Sequence, residues 1–560
     1  MMVRSSGGPF PERLVLTGFM GTGKSKVGAV VAGRLGLPFL DLDRLIETLH
    51  GKSVAAIFAE SGEAGFRAAE RGAVRWASSL RRAVVSTGGG TFLDPANRRD
   101  LADRSLVVTL TADALVIASR VEASAASGHR PLLMSGDVGS RIADLMAARA
   151  PIYAGSDLTV DTSNLTIDEV AGRIADWARR SGLTVPGGPG AEGRWTPSPP
   201  LIVRAPSYDV VVGRSLEDLP DFIAGFGRRA VFTVADAHTA ALFGASQGVG
   251  EGRRLAVDAV VPAGEAAKTF AEVESLHAAM AGVGLGRDGL VVALGGGVVG
   301  DLAGFAAATY MRGIPVVQVP TTLLAQVDSA IGGKTAVNVG GLKNLAGAFH
   351  EPIAVFAPFE PLLCLPEVEF RQGLVEAVKT GLACTPRILD LLEAEAEGIL
   401  ARAPGPLAQL TAACAEAKVA TVAADPREAG NRERLNLGHT VGHALEAIDG
   451  LGPSHGDAVA FGLAVAMILA VRTRAAPRTA LDRLLGLYRK LGLTLNPGRE
   501  AFQRLDRSEF ARRLAADKKN RAGRVRMVLP RGPGAVDLGC QVDLSEILGA
   551  CEEVSQITSG

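Results

Sequence analysis

Three of the eight histidines, His439, His443 and His455, lie close together in the sequence. His439 and His443 are four residues apart in the helix-compatible run NLGHTVGHALE, so their rings project from one side of a helix. The zinc-protease pattern H-E-x-x-H requires a glutamate at 440, where Thr440 stands instead. A single histidine is by default a core or surface residue, but the clustering favours a site.

A carboxylate can complete such a histidine cluster. A catalytic zinc ion needs three protein ligands and an open position, and one carboxylate often joins two histidines. The stretch GLVEAVKTG offers Glu376, with Lys379 one turn away on the same helical face. The pattern predicts a divalent-metal site, and it leaves open which of these side chains bind the ion.

A phosphate-binding loop is predicted near the start of the chain. GFMGTGKS (18–25) matches G-x-x-x-x-G-K-[ST] between the strand-like RLVLTGF and a helix-like segment. Backbone N–H groups of such a loop surround phosphate oxygens, and the helix N-terminus adds a favourable potential. Lys24 is expected at the β- and γ-phosphates and Ser25 at magnesium. The predicted contacts are Gly21, Thr22, Gly23, Lys24, Ser25 and Lys26.

The charged and glycine residues that follow suit a small acceptor with hydroxyls and a carboxylate. They are Asp41, Asp43, Arg67, Glu70, Gly88, Gly89, Gly90, Arg130 and Arg149. Alone, each signal is weak, because a carboxylate after a strand is equally often a helix N-cap and a helical arginine is usually solvated. Together, Asp43 can orient a hydroxyl while Arg67 and Arg149 hold a carboxylate.

A dinucleotide site is predicted in the second half. In LVVALGGGVVGD (290–301) a strand-like run ends in the motif G-x-G-x-x-G. This motif is weak evidence by itself. The acidic residue expected about twenty positions later is absent. Asp236 ends an earlier strand and can bind ribose hydroxyls, and Glu265 and Lys268 stand in a further turn. The wiring differs from a standard Rossmann site, and glycine-rich packing turns are the alternative.

These residues must be positioned by several domains, since a chain of 560 residues predicts about three or four at roughly 100 to 200 residues each. The Gly/Pro-rich segment 181–200 is predicted to be a linker. Alternating strand-like and helical runs at 11–180 and 201–356 predict two parallel α/β units. Ala/Leu/Glu/Arg-rich segments predict a mostly helical domain at 357–560.

Composition narrows the class of partner. With 59 basic and 59 acidic residues the formal net charge is zero, which argues against a nucleic-acid partner. No apolar run reaches the roughly 18 residues of a membrane span, so no membrane partner is predicted. The five cysteines are far apart and form no CxxC pair, which predicts reduced thiols and a cytoplasmic location.

Residues 11–180 resemble a shikimate kinase of the P-loop, nucleoside-monophosphate-kinase-like fold. The resemblance implies ATP with Mg²⁺ as cofactor, with Ser25 and Asp41 near the metal and Lys24 and Asp43 in catalysis. Arg130 lies in a segment resembling the mobile lid and is implied to reach over ATP, assisted by Arg120. The implied shikimate-binding residues are Asp43, Arg67, Gly88, Gly89, Gly90 and Arg149. Lys26 departs from the family, in which a small hydroxyl residue is common at this position.

Residues 201 to about 545 resemble 3-dehydroquinate synthase. The resemblance rests on GGGVVGD, ATYMRGIP, VPTTLLAQVDSAIGGKTAVN, KNLAGAF, GLVEAVKTG, LNLGHTVGHALE, SHGDAVA and ADKKN. It implies Glu376, His439 and His455 as ligands of Zn²⁺ or Co²⁺, whereas His443 faces the substrate as a hydrogen-bonding or acid/base group. Implied catalytic residues besides His443 are Asp328, Lys334, Lys379 and Lys418. Implied substrate contacts are Asn344, Arg432, Asn436 and either Lys518 or Lys519.

The same resemblance implies a tightly held NAD and a homodimer. NAD is implied to contact Glu265, Lys268, Gly297, Val298, Val299, Gly300, Asp301, Thr321, Thr322, Lys334 and Lys343. Arg312 is implied to reach the substrate phosphate of the neighbouring subunit. The family reaction converts 3-deoxy-arabino-heptulosonate 7-phosphate to 3-dehydroquinate, and NAD is retained because the hydride is borrowed and returned.

Both resemblances together give the hypothesis of a bifunctional enzyme of aromatic-precursor biosynthesis. Its substrates are shikimate and the heptulosonate phosphate. Three alternatives remain for one half or the other: another sugar-phosphate cyclase, a relative of the iron-type alcohol dehydrogenases, and a degenerate module that binds ligand without turnover. Net accumulation of NADH would mark the dehydrogenase, whereas phosphate release without net NADH marks the synthase.

Overall fold

The computed structural model describes residues 11–124, 138–183, 200–244, 255–446, 453–515 and 524–557. The predicted linker 181–200 lies almost entirely outside the described residues. The same holds for three predicted site residues, Arg130, Lys518 and Lys519.

The first unit is built on a five-stranded parallel sheet with the order β2-β3-β1-β4-β5. Strand β1 is buried along its length, as expected where helices cover both faces of a parallel sheet. Its elements are β1 (Arg13–Gly18), α1 (Lys24–Leu35), β2 (Phe39–Asp41), α2 (Leu42–His50), α3 (Val54–Ser79), β3 (Ala83–Ser86), α4 (Pro95–Ala102), β4 (Ser105–Thr111), α5 (Ala114–Ser124), α6 (Val138–Tyr153), β5 (Leu158–Asp161) and α7 (Ile167–Arg180).

The second unit contains a seven-stranded sheet with the order β6-β7-β14-β11-β10-β8-β9. Strand β6 pairs antiparallel with β7, and the other described pairs are parallel. Its elements are β6 (Leu201–Arg204), β7 (Asp209–Val212), α8 (Leu219–Ala224), β8 (Val231–Asp236), α9 (Ala237–Phe243), β9 (Ala259–Val261), α10 (Phe270–Gly282), β10 (Leu290–Gly295), α11 (Gly297–Thr309), β11 (Val316–Pro320), β12 (Lys334–Val339), β13 (Leu342–Phe349) and β14 (Ala354–Ala357). Strands β12 and β13 form a separate antiparallel hairpin.

The remaining residues form a mostly helical unit with one antiparallel hairpin, β15 with β16. Its elements are α12 (Glu360–Cys364), α13 (Glu367–Ala383), α14 (Pro386–Ala394), α15 (Ala396–Leu400), α16 (Pro404–Ala424), α17 (His439–Glu446), α18 (His455–Arg472), α19 (Arg478–Lys490), α20 (Asn496–Arg504), α21 (Arg507–Ala515), β15 (Arg524–Gly532), β16 (Ala535–Asp543) and α22 (Leu544–Gln556). The predicted fold class, two parallel α/β units followed by a mostly helical unit, is confirmed.

Helix α18 lies at the centre of this helical unit, packed by α13, α17, α19, α20 and α22. Among the described helices it is the one with the length and hydropathy of a membrane span, but most of it is buried inside the protein. A core helix passes the same test, so the feature is weak evidence for a membrane.

The first and second units are in direct contact. Helix α2 packs against α9, and one buried apolar cluster combines Leu45 and Ile46 of the first unit with Leu242 and Phe243 of the second. The two halves of the chain therefore share part of a hydrophobic core.

Candidate active sites

One edge of the first sheet collects three of the predicted segments. The phosphate loop follows β1, Asp41 ends β2, and the turn Gly88–Gly90 follows β3. Because the carboxyl ends of parallel strands share an edge, these segments meet at the place where α/β sheets usually bind ligands.

The phosphate loop is wound tightly around the Lys24 side chain. Lys24 is buried, and its Nζ donates hydrogen bonds to the carbonyl oxygens of Gly18 at 3.0 Å and Phe19 at 2.9 Å. Gly21 and Gly23 have positive φ values of 80° and 91°, which glycine adopts without steric cost. Helix α1 starts immediately after this turn, so its first N–H groups face the loop.

Arg120 is tied to the same loop through a threonine. Its Nη1 donates to Thr162 Oγ1 at 3.0 Å, and its Nη2 donates to the Thr162 carbonyl at 2.8 Å. The Thr162 hydroxyl contacts the carbonyl oxygen of Thr22 at 3.3 Å. The structure therefore places Arg120 beside the loop, while Ser25 and Lys26 lie on the exposed side of the first turn of α1.

The two aspartates that follow β2 have different environments. Asp41 is the N-cap of α2, where its Oδ1 accepts from the backbone N–H groups of Asp43 and Arg44. Asp43 is reached by solvent from the cleft, but partial desolvation and the negative charge of Asp41 raise its pKa to about 7. A carboxylate with such a pKa can accept a proton from a hydroxyl near neutral pH.

The glycine turn brings Asp43 and Arg67 to one cleft. A Cβ on Gly88 would lie 2.8 Å from Asp43 Oδ1, and a Cβ on Gly90 would lie 3.0 Å from Arg67 Nη2. Arg149 Nη1 donates to the carbonyl oxygen of Gly89 at 2.9 Å. Side chains at these glycines would fill the space between the charged groups, which explains the run of three glycines.

Two further residues support this cleft: Glu70, which the sequence singles out without a role, and Tyr153, which it does not. Glu70 is buried, and it binds Arg67 Nη1 at 2.8 Å and accepts from Thr91 Oγ1 at 2.8 Å. Tyr153 donates from its hydroxyl to the Gly89 carbonyl at 3.0 Å. Glu70 follows Arg67 by three residues on one helix, a spacing that brings the two side chains together. No local signal marks Tyr153, which comes from α6.

Three side chains of the helical unit converge in the second half. Glu376 of α13 is 1% exposed, and its Oε1 lies 3.1 Å from His455 Nε2 and 3.8 Å from His439 Nε2. One potential ligand atom from each of these three residues lies within 4.8 Å of the others. Two imidazole nitrogens and one carboxylate oxygen are a donor set that suits a catalytic divalent ion with an open position.

The outer nitrogens of both histidines are held by acceptors. His455 Nδ1 lies 3.0 Å from Glu446 Oε1, and His439 Nδ1 lies 3.2 Å from the Leu437 carbonyl. Such partners fix the ring orientation so that the Nε2 atoms face the metal position. Glu446 was not among the predicted residues.

His443 shares the pocket but is not one of the three converging ligands. Its ring centroid lies 5.1 Å from that of His439 and 6.4 Å from that of His455. Burial lowers the pKa of His443, and burial together with the nearby Lys379 ammonium lowers the pKa of His439 to about 3. Both imidazoles are therefore neutral at pH 7, and His443 can accept a proton.

The pKa values of His455 and Glu376 are shifted in opposite directions. Although burial opposes both, hydrogen bonds to the carboxylates of Glu376 and Glu446 raise the pKa of His455 to about 10, and Lys379 with the two histidines lowers the pKa of Glu376 to about 2. A metal ion at this position would replace the proton on His455, since a ligating imidazole must be neutral.

A buried network adjoins the triad. Asp328 lies on the π-helical turn Ala325–Ser329 and binds Lys379 Nζ at 2.9 Å as well as Lys418. Lys379 Nζ also lies 2.5 Å from Glu376 Oε2. Although burial opposes it, the two ammonium groups hold the pKa of Asp328 well below its usual value. The network presents positive charge beside the metal position.

The predicted dinucleotide residues gather around the start of α11. This helix has no side-chain cap, so backbone N–H groups of its first turn remain for an anion. Lys268 Nζ donates to Asp301 Oδ2 at 2.7 Å and to the Asn344 side chain. Lys343 Nζ lies 3.6 Å from Glu446 Oε1, which places this region next to the triad.

Other predicted cofactor residues have structural roles as well. Asp236 is the N-cap of α9, accepting from the backbone N–H groups of His238 and Thr239. Asn338, which was not predicted, donates to Glu265 Oε1 at 2.9 Å. Thr322 Oγ1 accepts from the Ala325 N–H, and the Thr321 N–H donates to the Gly295 carbonyl.

Several predicted substrate residues of the synthase lie in hydrogen-bonded or buried positions, whereas Arg312 is exposed. Glu428, not predicted, binds both Lys334 and the Asn436 amide. Arg432 is buried and donates from Nη2 to the Gly332 carbonyl at 3.1 Å. Arg312, by contrast, is exposed on the turn Tyr310–Arg312 with a φ of 69°, outside the buried network.

Comparison with known proteins decides between the families. The family model for shikimate kinase matches residues 20–179, and those for the N-terminal and C-terminal parts of 3-dehydroquinate synthase match 258–372 and 373–520. A 3-dehydroquinate synthase from Symbiobacterium thermophilum is 46% identical over 319 residues, covering 55% of this chain and 86% of that protein. The chain belongs to the 3-dehydroquinate synthase family. A shikimate kinase domain precedes the synthase, so the chain joins a kinase to a lyase.

Two solved structures are similar to the synthase half. ValA, a 2-epi-5-epi-valiolone synthase from Streptomyces hygroscopicus with NAD⁺ and Zn²⁺ bound, is 28% identical with a TM-score of 0.55, covering 65% of this chain and 99% of that chain. A 2-deoxy-scyllo-inosose synthase complexed with carbaglucose-6-phosphate, NAD⁺ and Co²⁺ is 26% identical with a TM-score of 0.53, covering 63% and 100%. The higher identity to 3-dehydroquinate synthase disfavours the alternative cyclases.

The raised pKa of Asp43 predicts the pH dependence of the kinase. Asp43 is ionised above about pH 7 and protonated below it, so kcat/KM for shikimate should fall as the pH drops through 7. Asp43→Asn should lower kcat/KM roughly 10²- to 10⁴-fold and remove this limb of the profile. Synthase activity of the same variant is the control. A limb that persists in the variant, or a wild-type midpoint near 4, would contradict the prediction that Asp43 accepts the proton.

Proposed function

We propose that this chain phosphorylates shikimate with ATP and separately cyclises 3-deoxy-arabino-heptulosonate 7-phosphate to 3-dehydroquinate with release of phosphate. The observation that carries the synthase proposal is the convergence of Glu376, His439 and His455 beside a cluster of buried lysines. Domains are proposed at 11–180 for the kinase, 181–200 for the linker, 201–356 for NAD binding and 357–560 for metal and substrate binding.

In the kinase, the loop and the cleft divide the work. Lys24 and the loop N–H groups hold the β- and γ-phosphates, while Ser25 and Asp41 hold Mg²⁺, which offsets charge on the phosphates. Arg67 and Arg149 orient the carboxylate of shikimate, so that one hydroxyl lies against Asp43. Asp43 takes the proton of that hydroxyl while the hydroxyl oxygen attacks the γ-phosphorus of ATP and ADP leaves.

In the synthase, the ligand set and the lysine network divide the work. Glu376, His439 and His455 are proposed to hold Zn²⁺ or Co²⁺, which supplies Lewis acidity, beside NAD, which supplies reversible hydride transfer. Lys334 and Arg432 bind the substrate. Lys379 and Lys418, both held in place by ion pairs with Asp328, stabilise negative charge on the substrate oxygens. The neutral His443 accepts and returns a proton at a substrate hydroxyl.

Kinase and synthase should be separable by substitution. Lys24→Ala is expected to reduce shikimate phosphorylation by roughly 10²- to 10³-fold, because the phosphates lose their cation, and to leave phosphate release from the heptulosonate unchanged. His439→Ala should show the reverse, because it removes one ligand. Each activity is assayed with its own substrate on protein whose fold is checked by circular dichroism. Loss of both activities in either folded variant would contradict independent sites.

We further propose a cytoplasmic homodimer formed through the synthase half. Large apolar side chains are exposed on β13 and on the neighbouring turn: Leu342, Leu345, Phe349 and Met311. The two segments adjoin, since His350 Nε2 lies 2.8 Å from the Ile314 carbonyl. Contiguous exposed apolar surface is typical of a protein interface. Arg312 follows Met311 on the same turn and is exposed, which is compatible with a residue that serves a neighbouring subunit. All five cysteines are free, which fits a reducing compartment.

Mixed dimers test the role of Arg312. Arg312→Ala and His439→Ala should each abolish synthase turnover. Co-expressed, they should recover about one quarter of wild-type activity, because half of the dimers are mixed and each mixed dimer of twofold symmetry keeps one intact site. Activity is measured as phosphate release per subunit. No recovery in purified mixed dimers would show that Arg312 acts within its own subunit.

A further inference from the structure

A strained turn at the edge of the kinase presents two arginines to the synthase. Arg82 has a φ of 46°, which is uncommon for a residue other than glycine and persists where surrounding contacts hold it. Its Nη1 donates to the carbonyl oxygen of Ala401 at 2.6 Å. The backbone N–H of Arg81 donates to the carbonyl oxygen of Cys364 at 3.1 Å. The turn therefore bonds to the synthase through both backbone and side chain.

Glu367 joins the two halves electrostatically. Its Oε2 lies 2.8 Å from Arg81 Nη1 of the kinase and 3.3 Å from Arg402 Nη2 of the synthase. Arg402 is 1% exposed and its guanidinium lies 4.6 Å from the centroid of the Phe370 ring. Arg81 in turn binds Glu12 of the kinase at 3.1 Å. Glu367 Oε1 also lies 3.1 Å from Arg371 Nε, so Arg81 is the one of its three arginine partners here that comes from the kinase. Removing one charge from a partly buried network weakens the whole network.

Apolar contacts surround these charges. One buried cluster contains the kinase residues Leu45, Ile46, Ala77 and Leu80 together with the synthase residues Ala241, Leu242, Phe243 and Cys364. Trp76 of α3 stacks on His238 of α9, with ring centroids 4.1 Å apart and planes inclined by 7°. Stacked aromatic pairs contribute beyond the area that they bury. The interface thus has a buried apolar centre and a polar network, as in stable protein–protein interfaces.

We infer that this surface, defined by Trp76, Arg81 and Arg82 on the kinase and His238, Glu367 and Cys364 on the synthase, docks the two halves non-covalently into one unit. The linker 181–200 is then not needed to hold them together. The surface meets the synthase where two site-bearing helices begin, because α9 follows Asp236 and Glu367 opens α13, which carries Glu376. Loss of docking should therefore also loosen the start of the helix that carries Glu376.

Cutting the linker in the full-length protein tests the inference. A specific protease site placed within 184–199 is cleaved after purification, and the fragments are analysed by gel filtration. The wild-type kinase fragment should elute with the synthase fragment. Arg81→Glu should weaken this association at least about tenfold, because it sets like charges against Glu12 and Glu367. Arg173→Glu, an exposed arginine on α7, is the matched control and should leave the association unchanged.

A double-mutant cycle separates docking from misfolding. Trp76→Ala and His238→Ala should each weaken the association of the cut fragments, and the double variant should weaken it by less than the product of the two factors. Shikimate phosphorylation by the released kinase fragment shows that it stays folded. Separation of the wild-type fragments as soon as the linker is cut, or strictly multiplicative effects in the cycle, would overturn the inference.

Discussion

Glu376 is the group on which the synthase half depends, because a buried carboxylate stays charged only if cations and hydrogen-bond donors reach it. Its partners are Lys379 at 2.5 Å, His455 at 3.1 Å and His439 at 3.8 Å. They lie on three helices, α13, α17 and α18. The packing of these helices around the buried α18 must therefore be accurate to fractions of an ångström, and the same accuracy fixes a metal site.

The kinase site depends on open space between charged side chains, which a turn of three glycines provides. Its charged groups surround an open cleft, so the constraint is space rather than burial. The turn Gly88–Gly90 keeps side chains out of the gap between Asp43 and Arg67. Both halves also place predicted site residues directly before helices, since Asp41 and Asp236 cap α2 and α9. These two capped helices are the ones that pack against each other where the halves meet.

The sequence predicts those features whose signal is local. The phosphate loop and the histidine pair of α17 follow from short spacings, and alternating strand-like and helical runs predict both parallel sheets. The sequence does not reveal Glu446, Glu428 or Tyr153, because each acts on a residue supplied by another element. Arg81 and Glu367, which bind each other where the two halves meet, are 286 positions apart in the sequence. No local pattern encodes such a pair. Asp41 is the N-cap of α2, and its role as a magnesium ligand is a proposal from the resemblance to shikimate kinases.

The synthase half is proposed to bind one ion between a carboxylate and two imidazoles. The most direct measurement is anomalous X-ray scattering at the zinc or cobalt absorption edge from crystals of the full chain. A single strong peak is expected within bonding distance of Glu376, His439 and His455. A peak elsewhere, or no peak in protein that turns over the heptulosonate phosphate, would contradict it.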